Sequence, residues 1–310
     1  MKPKVIVIVG PTASGKTDLS IKLAKQLNGE IISADSMQIY KKMTIGTAKP
    51  IPEEMQGIPH HMIDIIEPNE DFNVAKYKNM AEEKIEEIIN KGKQPIIVGG
   101  TGLYIDTLVN GIEFFDIEND LEYRKKLEEE VDVKGIDWLY EELKKIDPEA
   151  AKNIEKNNVR RVIRALEIYK VTGKTKTQLD KESIKGSKYD YVIFGLLWNR
   201  EELYERINLR VDIMLEDGLI EEVKSLINNE GFSKTALQGL GYKEVVEYLE
   251  EKCSYDEMVE KIKMETRRYA KRQMTWFRRN KNIVWLDAKN KSELMQEVLK
   301  LGTDLNLKKF

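Results

Sequence analysis

The sequence predicts an α/β protein in which a parallel sheet flanked by helices is interrupted by a helical insertion. Three observations support this fold class. Short apolar runs alternate with helical patterns over the first hundred or so residues, a helix-rich stretch without a strand pattern follows, and a strand pattern returns at Tyr189–Trp198. Strands that alternate with helices are typical of βαβ units. We therefore expect a core formed by residues 1–115 and 187–310, and an insertion of residues 116–186.

The individual elements follow from hydrophobic periodicity. Helices are indicated where apolar residues recur three and four apart, as Leu19, Leu23 and Leu27 do. The predicted helices are Lys16–Leu27, Leu121–Val131, Trp138–Ile146 and Val159–Val171, with more helices beyond Arg200. The predicted strands are Val5–Val9, Glu30–Ala34, Met62–Ile66, Pro95–Val98, Tyr189–Trp198 and Asn282–Leu286.

A phosphate-binding loop connects the first strand to the first helix. The segment from Gly10 to Thr17, Gly-Pro-Thr-Ala-Ser-Gly-Lys-Thr, satisfies the pattern G-x-x-x-x-G-K-[ST] in the strand–loop–helix context that the motif requires. Its backbone N–H groups and the helix N-terminus favour an anion, Lys16 adds a positive charge, and the Thr17 hydroxyl is a ligand for Mg²⁺. The expected fold is therefore a P-loop NTPase-like sheet. The predicted phosphate-binding residues are Gly10, Thr12, Ala13, Ser14, Gly15, Lys16 and Thr17.

The motif alone does not say what is done with the phosphate. The fourth strand ends in Gly99-Gly-Thr-Gly102 without the acidic residue that usually binds the metal in an NTPase, and there is no Asn-Lys-x-Asp motif for guanine. A GTPase is disfavoured on these grounds. A kinase-like transferase remains open.

Two polar residues follow predicted strands and are candidates for catalysis. Asp35 and Thr101 come after the second and fourth strands, and ligands bind outside the carboxyl ends of strands in such sheets. Asp35 is a candidate general base and Thr101 a candidate for positioning the substrate. The alternatives are a helix cap or turn for Asp35 and a plain turn for Thr101.

The net charge conceals a strong local asymmetry. A net charge of −3 argues against a generally basic nucleic-acid-binding protein. However, Lys156–Lys176 and Met264–Lys281 each contain seven Lys and Arg against one Glu, which leaves −15 on the rest of the chain. Either segment alone could be a solvated helix face. Together, with aromatic residues among them, they favour an RNA partner.

Several other classes are excluded or left open by the sequence. No apolar run approaches the length that a membrane helix needs, and the single cysteine, Cys253, has no partner for a disulfide or zinc site. We expect a cytoplasmic protein without a structural metal. Arg206 and Arg210 share one face of a predicted helix, where they could bind a diphosphate or pair with neighbouring glutamates.

A set of motifs in order along the chain is similar to the tRNA dimethylallyltransferases, a family of tRNA prenyltransferases. The resemblance covers about residues 5–286. Besides the phosphate loop, it rests on Asp35-Ser-Met-Gln-Ile-Tyr40, Gly46-Thr-Ala-Lys-Pro50, His60-His-Met-Ile-Asp64, Val98-Gly-Gly-Thr-Gly-Leu-Tyr104, Val159-Arg-Arg-Val-Ile-Arg-Ala-Leu-Glu167, Ala236-Leu-Gln-Gly-Leu-Gly-Tyr-Lys-Glu244 and Arg267-Arg-Tyr-Ala-Lys-Arg-Gln-Met-Thr-Trp-Phe-Arg278.

The resemblance implies transfer of a dimethylallyl group from dimethylallyl diphosphate to N6 of adenine 37 in tRNA. The phosphate loop would then hold the donor diphosphate with Mg²⁺, helped by Arg206 and Arg210, while Asp35 would act as the base and Thr101 would orient the reacting groups. The resemblance also implies a monomer, and a structural or substrate-shaping role for His60 and His61. The implied tRNA-binding residues are Ser36, Met37, Gln38, Arg124, Arg160, Arg161, Val162, Ile163, Arg164, Gln238, Lys243, Lys271, Arg272 and Gln273.

Three alternatives to this activity remain. The first is a related isopentenyltransferase that acts on free adenine nucleotides, which would need no extended basic surface. The second is a P-loop kinase for a small molecule. The third is an RNA-binding regulator with a vestigial loop.

Overall fold

A computed structural model describes residues 2–115, 117, 120–289, 294–296 and 298–300. The chain divides into two compact units, one of residues 1–109 and 187–310 and the other of residues 110–186. The second unit thus begins six residues before the predicted position 116 and ends at the predicted residue. Each unit has its own hydrophobic core.

The first unit is built on a six-stranded sheet in the order β3-β2-β4-β1-β5-β6. Every strand pair is parallel, so the predicted fold class is confirmed. The strands are β1 (Lys4–Val9), β2 (Gly29–Ser33), β3 (His60–His61), β4 (Gln94–Gly99), β5 (Asp190–Leu197) and β6 (Val284–Asp287).

Helices account for most of the remaining described residues. In chain order they are α1 (Lys16–Leu27), α2 (Pro52–Met55), α3 (Val74–Asn90), α4 (Gly102–Val109), α5 (Leu121–Lys134), α6 (Ile136–Ile146), α7 (Pro148–Asn153), α8 (Val159–Thr172), α9 (Lys176–Ser183), α10 (Arg200–Glu216), α11 (Leu219–Asn229), α12 (Tyr242–Leu249) and α13 (Tyr255–Phe277), with a short 3₁₀ turn at Ala236–Gln238. Among the described residues, no helix is both long enough and apolar enough to cross a membrane.

The sheet is buried on both faces, which explains the uninterrupted apolar runs in its strands. Successive residues of a strand point to opposite faces. Accordingly, Val7 packs with α3, α4 and α11–α13 in one cluster, whereas Ile6 and Ile8 pack with α1 in the other. Strands buried on both faces read as continuous hydrophobic segments rather than as alternating ones.

The strand predicted at Met62–Ile66 is wrong. The edge strand is the preceding pair, His60–His61, which aligns with Ile31 and Ile32 of β2. Met62 and Asp64 have φ angles of 64° and 54°, in the left-handed region that a strand cannot contain. Only Ile66 keeps a strand-like contact, as an isolated bridge to Tyr40.

The second unit is helical and contains α5–α9. Its core joins Leu139 and Leu143 of α6 to Val162 and Leu166 of α8. The carboxylate of Glu167 lies fully buried on α8 and forms ion pairs with Arg124 and Arg164. One cation of the basic segment Lys156–Lys176, Arg164, and Arg124 of α5 therefore pair with a carboxylate buried inside the unit.

The contact between β4 and the end of β2 predicts that Gly99→Ala is strongly destabilising. A Cβ at residue 99 would lie 2.2 Å from the carbonyl oxygen of Ala34, a backbone atom that cannot move aside. We expect a loss of about 3 kcal/mol in the free energy of unfolding, measured by urea denaturation. The control is Gly57→Ala, where no atom lies within 4 Å and the positive φ alone costs about 1 kcal/mol. Equal losses in the two variants would contradict the close approach.

Candidate active site

The phosphate loop joins β1 to α1 at the carboxyl edge of the sheet. Gly10, Ala13 and Gly15 have φ angles of 154°, 61° and 87°, so the loop turns sharply before Lys16 begins α1. Lys16 Nζ donates to the carbonyl oxygen of Pro11 at 2.7 Å, which folds this side chain back over the loop. This conformation places the ammonium group at the mouth of the loop, where the oxygens of a phosphate would lie.

The electrostatics of the loop favour an anion. Burial and the nearby Arg210 guanidinium lower the pKa of Lys16 from 10.5 to about 7, while Asp35 opposes the shift. Two cations held close together destabilise each other until a negative charge binds between them. An anion bound here would therefore raise the pKa of Lys16 again.

Arg206 and Arg210 both reach the phosphate loop from α10. Arg206 Nε donates to the carbonyl oxygen of Ala13 at 2.9 Å, and Arg210 Nη1 lies 3.4 Å from Thr12 Oγ1. The alternative was pairing with Glu202 and Glu205, but among the described residues neither arginine forms an ion pair with these glutamates, and Glu202 pairs with Lys289. The structure thus places both guanidiniums beside the loop, as the diphosphate interpretation requires.

Trp198 also supports the loop, although the sequence analysis did not assign it to the site. Its Nε1 donates to the carbonyl oxygen of Ser14 at 2.9 Å, and its ring lies under the Arg206 guanidinium, 4.4 Å from the ring centroid. The residue follows the end of β5 directly. Its position at the end of a strand could have indicated a site residue. From the sequence alone, however, an aromatic residue in an apolar run cannot be distinguished from a core residue.

Asp35 and Thr101 lie together at the ends of β2 and β4. Asp35 is partly buried, and its Oδ1 accepts from the backbone N–H of Met37 at 2.9 Å. Thr101 Oγ1 accepts from Ser36 N at 3.0 Å and lies 3.3 Å from Ser36 Oγ. The second carboxylate oxygen of Asp35 makes no recorded hydrogen bond among the described residues, so an acceptor atom remains for a ligand.

A cavity of about 280 Å³ opens beside these groups and the phosphate loop. Asp35, Thr12 and Arg272 contribute polar atoms to its wall, and Met37, Leu240 and Tyr269 contribute apolar surface. Burial and the charge of Asp35 raise the pKa of the Tyr269 phenol, which therefore stays protonated. The remaining lining residues are Ser36, Gly46, Thr47, Gln238, Gly239 and Tyr242.

One wall of the cavity depends on Glu222, which the sequence analysis missed. Its carboxylate accepts from three successive backbone N–H groups, those of Thr44, Ile45 and Gly46, at 2.9, 2.8 and 3.2 Å. It also accepts from the Tyr242 hydroxyl at 2.6 Å. The carboxylate thus fixes the segment that carries Gly46 and Thr47 into the cavity. No sequence signal distinguishes Glu222 from Glu221, the other acidic residue on its helix.

The implied role of Gln273 in contacting RNA is corrected by its position. The side chain is 5% exposed and hydrogen-bonds inward, to Thr12 N and to the carbonyl oxygen of Gly100. Its neighbours Lys271 and Arg272 are exposed. Adjacent residues on a helix point about 100° apart, so a motif of consecutive residues cannot all face one ligand.

Other implied RNA contacts are also corrected in the second unit. The side chains of Val162 and Ile163 are buried in its core, so they pack rather than bind a ligand. Arg124 and Arg164 form ion pairs with Glu167 but stay partly exposed, so their assignment to RNA stays a prediction. Arg160 and Arg161 are exposed, and within the described ranges no ion pair is recorded for either. The other cations of Lys156–Lys176 pair with acidic residues: Lys156 with Asp137, Lys170 with Asp120, Lys174 with Glu182 and Lys176 with Asp180.

The second basic segment leaves more of its charge available. Arg268 pairs with Glu265, whereas Arg279 lies 4.0 Å from the centroid of the Trp276 ring. Arg272 and Gln238 line the cavity, and Lys243 is exposed at 3.9 Å from Glu247. Ser36 and Met37 also line the cavity, but Gln38 lies behind them, where its Nε2 donates to the carbonyl oxygens of Thr47 and Ala48.

The histidines do not form a metal site with the described residues around them. His61 Nε2 lies 2.7 Å from Oε2 of the buried Glu30, and His60 Nδ1 lies 2.8 Å from the carbonyl oxygen of Ile58. No group of three or more His, Cys, Asp or Glu side chains suited to a metal occurs in the described part of the chain. Mg²⁺, however, commonly keeps several waters and takes its other ligands from a substrate phosphate and one or two protein groups. The exposed Thr17 hydroxyl at the start of α1 fits that limited role.

Comparisons with known proteins agree with the motifs. The family model described as IPP transferase matches residues 38–280. A tRNA dimethylallyltransferase from Acetivibrio thermocellus is 54% identical over 286 residues, which is 91% of each chain.

Solved structures give the same result. The full-length tRNA isopentenylpyrophosphate transferase from Bacillus halodurans is 45% identical with a TM-score of 0.74, and the match covers 98% of this chain and 97% of that one. A eukaryotic dimethylallyltransferase acting on tRNA is 35% identical with a TM-score of 0.82, over 98% of this chain and 79% of that one. The resemblance predicted from the motifs is confirmed, and the chain belongs to the IPP transferase family.

Proposed function

We propose that this protein transfers a dimethylallyl group from dimethylallyl diphosphate to N6 of adenine 37 in tRNA. The observation that carries the proposal is that a carboxylate, Asp35, and the phosphate loop residue Thr12 line one cavity. Family membership supports the same reaction, because the curated relatives are named tRNA dimethylallyltransferases. On this proposal the enzyme works in the cytoplasm as a monomer.

The donor diphosphate would bind at the phosphate loop. The loop amides, Lys16, Arg206 and Arg210 would neutralise the charge that gathers on the leaving oxygen as the allylic C–O bond breaks. Mg²⁺, held by the Thr17 hydroxyl and the diphosphate oxygens, would supply further charge neutralisation. The dimethylallyl group would extend from the loop into the cavity, along its apolar wall.

The adenine amine would enter the cavity from the Asp35 side. An exocyclic adenine amine is a weak nucleophile because its lone pair is delocalised into the ring. As its nitrogen bonds to the allylic carbon, the free oxygen of Asp35 would accept the proton, and diphosphate would leave as the second product. Thr101 would orient the amine through the hydroxyl that already contacts Ser36.

The RNA would be bound by exposed cations, of which Arg272 lines the cavity and the others lie outside it. Lys271 and Arg272 in the core unit, with Arg160 and Arg161 in the second unit, are the exposed members of the two basic segments that we assign to this role. A base stacked in an anticodon loop cannot reach Asp35, so the target adenine would be flipped out of the stack into the cavity.

A related enzyme acting on free AMP, ADP or ATP is the second candidate, because the cavity itself would accept a mononucleotide. The test is to incubate the protein with dimethylallyl diphosphate and either AMP or an anticodon stem-loop, followed by mass analysis of the product. We expect prenylation of the stem-loop. Prenylation of AMP but not of the stem-loop would overturn the proposal.

Asp35→Asn should abolish most turnover without weakening RNA binding. The amide oxygen can still accept from Met37 N, so the turn is preserved, but the side chain can no longer take a proton. We expect the single-turnover rate to fall by about 10²–10⁴-fold with the Kd of the stem-loop unchanged. The control is Asp287→Asn, since Asp287 is the last residue of β6 and likewise accepts from the backbone N–H two positions on, that of Lys289 at 3.0 Å. Weaker RNA binding with unchanged turnover of bound RNA would contradict the role as a base.

Donor binding should take up a proton above neutral pH. With a pKa of about 7, Lys16 is charged below pH 7 and increasingly neutral above it in the free protein. A diphosphate stabilises the charged form, so at pH 8 binding should draw roughly one proton onto Lys16. Calorimetry in two buffers of different ionisation heat measures this uptake. Lys16→Arg, which stays charged, should lose it; an identical uptake in that variant would disprove the assignment.

Arg160→Ala combined with Arg161→Ala should weaken RNA binding and flatten its salt dependence, with donor affinity unchanged. Each lost phosphate contact reduces the slope of log K against log salt by roughly one. The control is Lys224→Ala combined with Lys252→Ala, which removes the same total charge. These lysines lie outside both basic segments and pair with Glu221 and Glu250. An equal loss of slope in both double variants would indicate a general charge effect and refute a specific contact.

A further inference from the structure

The side chain of Gln273 connects the two loops that the reaction has to bring together. Its Oε1 accepts from Thr12 N in the phosphate loop at 2.8 Å, and its Nε2 donates to the carbonyl oxygen of Gly100 at 3.0 Å. These partners are 261 and 173 residues away in sequence. One buried carboxamide on α13 thus spans the loops that follow β1 and β4.

The location of this bridge explains why a side chain is needed there. The pairing of β1 with β4 ends at Val9 and Gly99. Within the part of the chain that the structure describes, no backbone hydrogen bond joins the phosphate loop to the segment that begins at Gly100. Gln273 makes one hydrogen bond to each chain just past the last pair, and so continues the connection into the site.

Few side chains other than glutamine could form both hydrogen bonds at position 273. A backbone N–H can only donate and a carbonyl oxygen can only accept, so the orientation of the carboxamide is fixed. A carboxylate would keep the first hydrogen bond and lose the second. Gly100 is matched to this arrangement, since a Cβ at residue 100 would lie 2.1 Å from Gln273 Nε2.

On the proposed function, the two ends of this bridge lie beside the two substrates: the Thr12 end beside the site for the prenyl donor, and the Gly100 end beside the residues that act on the adenine. Thr12 lies in the loop contacted by Arg206 and Arg210, while Gly100 immediately precedes Thr101, whose hydroxyl contacts Ser36 beside Asp35. A change in the length of this connection would change the distance between the allylic carbon and the attacking nitrogen. Misplacement by 1 Å can reduce a rate by about 10²-fold.

We propose that Gln273 is a positioning residue that sets the separation of the phosphate loop from the Thr101 loop, and hence of donor from acceptor. This role rests on the proposed prenyl transfer. It does not require contact between Gln273 and either substrate. Substitutions should therefore act on the rate of the bound complex rather than on its affinity.

Gln273→Met and Gln273→Glu test the two hydrogen bonds. For Gln273→Met, which loses both, we expect the single-turnover rate on the stem-loop to fall by about 10–100-fold, with the Kd of each substrate changed by less than about threefold. Gln273→Glu should be equally slow at high pH and recover as the pH falls, because a protonated carboxyl both accepts and donates, and burial raises a carboxyl pKa. Gln273→Met should show no such recovery relative to the wild type.

Gln94→Glu is the matched control. Gln94 Nε2 donates to the carbonyl oxygen of Lys4, so this glutamine joins the same two strands at their opposite ends. Gln94→Glu should reduce stability without the pH-dependent change in rate. An unchanged rate in Gln273→Met, a fall matched by a loss of affinity, or the same rescue in Gln94→Glu would overturn the positioning role.

Amide hydrogen exchange keeps this test independent of the proposed reaction. In the wild type the Thr12 amide should be protected by Gln273; in Gln273→Met it should exchange faster, and in Gln94→Glu it should not change. If the wild type fails to prenylate RNA, the proposed function is refuted while the exchange result still decides whether the bridge exists. Unchanged exchange at Thr12 in Gln273→Met would refute the bridge, whatever the activity.

Discussion

The site depends on the parallel pairing of β1 with β4, which ends at Val9 and Gly99. Parallel strands bring their carboxyl ends to one edge, so the loops that follow meet there although they are far apart in sequence. The phosphate loop begins immediately after Val9, and the segment with Thr101 begins immediately after Gly99. β2, on the other side of β4, adds Asp35. The strands buried on both faces hold these three loops, and the side chains of α10, α11 and α13 then fix them from outside the sheet.

The net charge of the chain does not describe the charge at its two candidate binding surfaces. A net charge of −3 suggests no affinity for a polyanion. Ion pairing accounts for much of the first basic segment, since acidic neighbours take Lys156, Lys170 and Lys174. Arg160 and Arg161 are exposed and form no ion pair among the described residues, and on the proposed function they would contact the phosphates of the RNA. At the phosphate loop, Lys16 and Arg210 of α10 lie close enough for the Arg210 charge to lower the pKa of Lys16, so a bound anion would stabilise both cations.

The strands and the phosphate loop were predictable because local patterns determine them. Short apolar runs located β1, β2, β4 and β5, but hydrophobicity could not show that Met62 and Asp64 turn the chain and leave only His60–His61 in the edge strand. The tertiary contacts of the site were less predictable. Nothing local shows that Glu222 accepts from three backbone amides. Burial of Val162 and Ile163 was visible in principle, since helical periodicity places them on an apolar face within a basic segment.

The most direct test of the central claim is mass analysis of tRNA after incubation with isotope-labelled dimethylallyl diphosphate. Digestion to oligonucleotides locates the labelled base in the sequence, and digestion to nucleosides identifies the labelled atom. The account predicts that the label appears on N6 of a single adenosine next to the anticodon, with one diphosphate released for each labelled base. Label on any other atom of the RNA would contradict it. So would unlabelled tRNA from a folded protein that instead transfers phosphate from ATP.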